Sequence, residues 1–233
     1  MAATSMWRIG RKAMQIFGFP TSPYVRKVLV IAAEKGVEAE LVEATPHKPT
    51  PEFLAASPFR MMPAMQDGDF TLPDSTAIAF YLDAKYPDPP LLPEEPQARG
   101  RAMWMDEFAD TILSNSARAI AFNRTIGPSL LGLAKNEDAA AEAETAVTPA
   151  LDWLEEQVPE QGWLVSDYSL ADIAVASCIK TMTYGLDITF ITSRPRTFAW
   201  LERVFQRPAW IEVTEKEVAM FKEAIVSRHH RSE

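Results

Sequence analysis

The chain has 233 residues, 47% of them apolar and 24% charged, and a net charge of −9. That length holds one large domain or two of ordinary size, each with a real core, and the composition is that of a globular chain. The acidic balance argues against nucleic acid, whose phosphates call for a basic face, and no apolar run nears the ~18 residues that span a bilayer.

Cys178 is the single cysteine, so no intrachain disulfide forms and a reducing compartment fits. His47, His229 and His230 are the three histidines; without a Cys/His cluster, no metal is expected. Residues 1–13 carry Arg8, Arg11 and Lys12 and no acid. Organelle transit segments share that character, as do basic extensions, but the segment has no apolar centre of the secretory kind. Cytoplasm is the default expectation.

Ile16-Phe17, closed by Gly18 and Pro20, predicts a buried strand ending in a turn. After Pro23 the period changes: Val25, Val28, Leu29 and Ala32 share one helical face, and Lys35-Gly36 stops it. Pro23 suits the first helical position, which makes Ser22 the N-cap. Val37–Glu43 follows as a second strand, so the order implies a parallel pair with a right-handed crossover. A proline-broken loop holding His47 and Lys48 leads to a short helix at Glu52–Ala56. Met61–Met65 is a strand whose Pro63 must be terminal or cis. Asp67-Gly68-Asp69 turns it back into Phe70–Leu72. Pro73-Asp74-Ser75 then opens a helix from Thr76 to Tyr86.

Residues 88–96 form a stiff, proline-dense linker. Beyond it the spacing is helical throughout, over about 97–123, 137–158, 169–185, 195–205 and 211–226. In Ser169-Leu170-Ala171-Asp172, Ser169 as N-cap and Asp172 three residues on form a capping box with a structural role. The fold class is therefore an α/β unit of βαβ–ββα order followed by an all-helical unit. The expected boundaries are an extension at 1–13, the first domain at 14–87, the linker at 88–96, the helical domain at 97–226 and a tail at 227–233.

The hydroxyl of Ser22 either caps its own helix or faces a bound anion, since helix N-termini favour negative charge. Asp74-Ser75 marks a second helix start, able to hold an ammonium and a carboxylate. Between them a cis Met62-Pro63 would offer a free backbone edge to an extended peptide. The implied ligand is a short zwitterionic peptide bearing a thiol.

The order strand-Pro-x-Ser-helix, then Met-Pro, Asp-Gly-Asp and Leu-x-Asp-Ser-x-Ala-Ile resembles the cytosolic glutathione transferases, from about Met14 to near the chain's end. Phe19 to Val28 is closest to the serine-type classes, phi- and tau-like, and unlike the cysteine-type omega and beta classes. The resemblance implies a thioredoxin-like first domain, a homodimer, and glutathione as co-substrate. It implies Ser22 as the catalytic residue, with Thr21 as the rival hydroxyl. It also implies Met62 and Pro63 against the cysteinyl unit, Asp74 and Ser75 on the γ-glutamyl end, and His47 and Lys48 toward the glycine carboxylate. Arg60-Met61 depart from the family pattern, which shows a small residue and then Gln or Lys.

In such a fold the first helix after the linker faces the cleft. Phe19, Met105, Phe108 and Ile112 are then the expected wall for a hydrophobic electrophile, and Asp106 and Glu107 the groups reaching a partner subunit's tripeptide. Isomerisation, dehalogenation, peroxide reduction and non-catalytic binding are the alternatives. The turn lacks the Ser-x-Cys of the maleylacetoacetate isomerase class.

Overall fold

A computed structural model describes residues 13–47 and 49–229. The first half runs β1 (Met14–Gly18), α1 (Pro23–Glu34), β2 (Ala39–Glu43), α2 (Pro51–Ala56), β3 (Ala64–Asp67), β4 (Phe70–Pro73) and α3 (Ser75–Lys85). Its sheet has the order β2-β1-β3-β4. Strands β1 and β2 are parallel, with Ile16 opposite Leu41; β3 is antiparallel to β1, with Met65 opposite Ile16. The β3–β4 hairpin turns at Gly68, whose φ of 64° suits a residue without Cβ. The Met62-Pro63 peptide is cis, and Pro63 stands just before β3 rather than inside it. The expected βαβ–ββα order is what forms.

The linker is not free. Leu91 and Leu92 are buried, and the Leu170 amide donates to the Leu91 carbonyl at 2.8 Å. After it come α4 (Pro96–Glu107), π turns at Phe108–Leu113, α5 (Ser114–Ala121) and further π turns at Phe122–Leu131. This continuous rod outlasts its expected end near residue 123. The widened turns make room for the Pro128 ring, which an α turn would drive into the carbonyl four residues back. Then follow α6 (Glu137–Gln157), α7 (Leu170–Met182), α8 (Ile188–Thr192), α9 (Pro195–Phe205) and α10 (Pro208–His229). Helix α8 was not foreseen, because five residues capped by Asp187 are too few to show a period.

Helix α7 lies at the centre, buried on nearly every face, and packs against α1, α4 and α5. Asp172 starts it, accepting from the Ser169 amide at 3.1 Å, the Leu164 amide at 3.0 Å and Trp200 Nε1 at 2.9 Å. Burial nonetheless pushes its carboxyl above the usual range, against the pull of those donors. Its work is structural, tying α7 and α9 to the Leu164 loop.

Cys178 on α7 is buried, and its thiol donates to the Ala109 carbonyl at 3.3 Å. Burial pushes that thiol up to about 12. Thiol-specific alkylation at pH 8 should therefore leave the folded protein unlabelled and label one site per chain after denaturation. Native labelling at the unfolded rate would show that this helix is not packed as described.

Candidate active site

At Gly18 an added Cβ would stand 2.3 Å from a Val25 methyl, so β1 and α1 meet with no side chain between them. The Ser22 amide donates to the Phe19 carbonyl at 3.0 Å, and the Ser22 carbonyl accepts from the Arg26 amide. Ser22 is the N-cap of α1 by position, with extended backbone, yet its hydroxyl accepts no hydrogen bond from the first turn. A half-buried hydroxyl is thus left for another group at a helix start that favours negative charge.

The helical half grips this turn. Thr181 donates its hydroxyl to the Thr21 carbonyl at 3.1 Å, and fully buried Arg26 donates to Thr181 Oγ1 at 2.8 Å and to the Ser177 carbonyl at 2.7 Å. Glu217 on α10 accepts from Arg26 Nε at 2.7 Å and also from the Tyr184 hydroxyl. Burial works against the guanidinium charge, but Glu217 outweighs it and raises the Arg26 pKa.

One residue on, Lys27 is equally buried and donates to Asp106 at 2.8 Å, Asp110 at 2.9 Å and Thr76 Oγ1 at 3.1 Å. Burial, with Asp106 nearby, raises the Asp110 carboxyl against the pull of Lys27. Neither network was foreseen, since the partners of Arg26 and Lys27 lie on helices far along the chain. The available signal was that they are the only charges between Pro23 and Ala33. A helix otherwise apolar all round is buried all round.

At the start of α3, Asp74 adopts φ 79°, and its amide donates to the Pro63 carbonyl at 3.3 Å. Its Oδ1 accepts from the amides of Thr76 at 3.0 Å and Ala77 at 2.9 Å, so the carboxylate caps α3. Ser75 is buried, and its hydroxyl has no hydrogen-bond partner among the described residues. Asp74→Ala should cost about 0.5–2 kcal/mol, the loss of a cap with the positive-φ strain of the parent left in place. Asp74→Gly, which removes the strain, should cost less. Urea unfolding of the two variants tests that order, and equal losses would discount the backbone strain.

A cavity of about 410 Å³ is lined by Met62, Pro63, Asp74 and Ser75 together with Met61, Tyr24, Asp110 and Arg118. Ser22, Phe19, His47 and Ile112 are not among its lining residues. His47 is exposed on its loop, Ile112 is 44% exposed, and Phe19 is half-buried. Lys48, residues 1–12 and residues 230–233 lie outside the described residues.

Two expectations for the electrophile wall are corrected. Met105 and Phe108 belong to the helical core, and the Phe108 ring lies 4.9 Å from that of Trp153. On the same rod Asp106 and Asp110, four residues apart, are what meet α1. Asp106 is likewise corrected as a group reaching a partner's tripeptide, because it is buried against Lys27 of its own chain.

Among the described residues no group of three or more His, Cys, Asp or Glu side chains could hold a metal ion. No described helix is long and apolar enough to cross a membrane.

A four-stranded sheet with helices, carrying a cis-proline just before β3 and joined to a helical bundle, defines a thioredoxin-like unit with an all-helical partner. The family models described as glutathione S-transferase, N-terminal domain, and glutathione S-transferase, C-terminal domain, match residues 16–90 and 104–208. A glutathione S-transferase of Hyoscyamus muticus is 31% identical over 210 residues, covering 87% of this chain and 98% of the relative. Glutathione S-transferase 3 of Zea mays is 30% identical over 206 residues, covering 84% and 91%. The solved structure of glutathione S-transferase III in apo form superposes with a TM-score of 0.77 at 28% identity, over 88% of this chain and 96% of that one. The chain belongs to the glutathione S-transferase family.

Proposed function

We infer that this protein transfers glutathione to a hydrophobic electrophile, with Ser22 as the residue that keeps the sulfur ionised. The observation carrying this is the uncommitted Ser22 hydroxyl at the mouth of α1. Residues 14–87 hold the tripeptide, 88–96 connect, and 97–226 cover the cleft. Met62 offers backbone to the cysteinyl unit beside Pro63, and Ser75 with Asp74 takes the γ-glutamyl end. His47 and Lys48 reach toward the glycine carboxylate. Phe19 and Ile112 remain in the electrophile wall, joined now by exposed Phe59 and Met61. The working form is a cytoplasmic homodimer of the serine type.

Energetically the task is modest. A free thiol titrates near pH ~8.5, so a fall of about two units makes thiolate dominant at neutral pH and needs roughly 2.7 kcal/mol. One hydrogen bond to the charged sulfur contributes about 1.5–3 kcal/mol, and the helix start adds about 0.3–1. The thiolate then attacks the electrophilic carbon: the C–S bond forms while a halide leaves with its electron pair, or an activated alkene takes up the charge and then a proton.

Tyr24 supports a second assignment of the hydroxyl, because it lines the cavity that Ser22 does not, although it donates to the Asp110 carbonyl at 3.3 Å. Purified protein should be retained on immobilised glutathione and should conjugate a chromogenic aryl halide. Retention without turnover would favour the binding-protein alternative, and loss of both would reject the reading. Tyr24→Phe should keep most of the activity; a loss as large as that of Ser22→Ala would move the role to the phenol.

A further inference from the structure

We propose that the electrophile this cleft accepts carries a carboxylate, recognised by Arg118. The inference deepens the transferase reading and rests on it for the reaction. Arg118 lies on α5, is exposed, and lines the 410 Å³ cavity. Among the described residues its guanidinium has neither a hydrogen bond nor an ion pair. The other charged groups lining the cavity, with Tyr24 and Ser57, are engaged within the fold. Tyr24 donates to the Asp110 carbonyl, the Asp110 carboxylate is paired with Lys27 at 2.9 Å, and Asp74 caps α3. Ser57 donates to the Met61 carbonyl at 2.7 Å and accepts from the Met61 amide at 2.9 Å.

The apolar lining is the second observation. Phe59 is 87% exposed and Met61 65%, so two large apolar side chains stand at the cavity rather than in the core. Placed against one uncommitted guanidinium, they suit a ligand with a flat or greasy body and a single negative group. A planar guanidinium takes a carboxylate through two parallel hydrogen bonds, and this gives direction as well as charge. The carboxylate could belong to the electrophile or to glutathione itself, which has two.

A matched pair separates these sources: 4-(chloromethyl)benzoate and its methyl ester, each with glutathione. In both, the thiolate sulfur bonds to the benzylic carbon as the C–Cl bond breaks and chloride departs with the bonding pair. The parent should favour the acid, and Arg118→Gln should lower the acid-to-ester ratio of kcat/KM about tenfold, the low end for a charge-assisted contact at an exposed site. Arg118→Lys should recover part of the ratio, and 0.5 M salt should shrink it. An unchanged ratio in Arg118→Gln overturns the proposal. So does a raised KM for glutathione with the ester, because the cation would then serve the tripeptide. Calorimetric affinities of the two S-benzyl glutathione products give the same ratio without catalysis. If neither halide reacts, the transferase reading fails, while those affinities still decide for or against Arg118.

Discussion

Replacing Ser22 with alanine should lower kcat/KM for an aryl halide by about 10–150-fold at pH 6.5–7, the loss of one hydrogen bond to a charged sulfur. The pH profile gives the sharper readout. In the parent the rate should rise through an apparent pKa roughly two units below the free thiol's ~8.5. In Ser22→Ala that limb should move up toward ~8.5, and the two rates should converge above it. The sign follows from the depressed pKa: the hydroxyl helps only where it converts thiol to thiolate. Thr21→Val should leave the profile in place, because Thr21 is buried and meets α7 through its backbone carbonyl, which valine retains. A Ser22→Ala profile identical to the parent's would remove this serine from the chemistry.

Arg26→Met should be the most destabilising single change in the first half of the chain. It leaves Glu217, 3% exposed, as a buried carboxylate without its cation. Breaking such a pair costs about 3–5 kcal/mol, which for a chain of this size lowers Tm by roughly 6–20 °C. Adding Glu217→Leu should restore most of that loss, since a well-packed apolar replacement for a buried ion pair is often close to neutral. The double variant then separates stability from function. Arg26 holds Thr181, and Thr181 holds the carbonyl just before Ser22. If the clamp sets the serine's position, the thermally restored double variant should still lose kcat/KM, by up to about 10²-fold for a misplacement near 1 Å. A double variant with parental Tm and parental rate would make the network purely structural.

The networks also explain how far reading along the chain could go. Strand β1, helix α1 and the β3–β4 hairpin were legible because each is fixed by neighbours in sequence: Gly18 and Pro20 at a strand end, Pro23 at a helix start, Asp67-Gly68-Asp69 at a turn. The cap position of Ser22, the cis Met62-Pro63 bond and the start of α3 at Asp74-Ser75 were legible for the same reason, as local signals in a recognisable order. Met105 and Phe108 carry an apolar spacing that fits a core face as well as a cleft wall, and only their packing in the helical core, with Phe108 against Trp153, decides between the two.

What the sequence alone determined is the succession of elements, the family they belong to and the hydroxyl at the first helix start, all consequences of short-range backbone chemistry. What only the tertiary structure decided is the partnering of charge. Arg26 and Lys27 look like solvent-facing residues until α4, α7 and α10 close over them, and Arg118 looks like one surface cation among many until it is found on a cavity wall with no partner among the described residues. Desolvation and pairing depend on groups 79 to 191 positions away in the chain, and no local pattern carries that information.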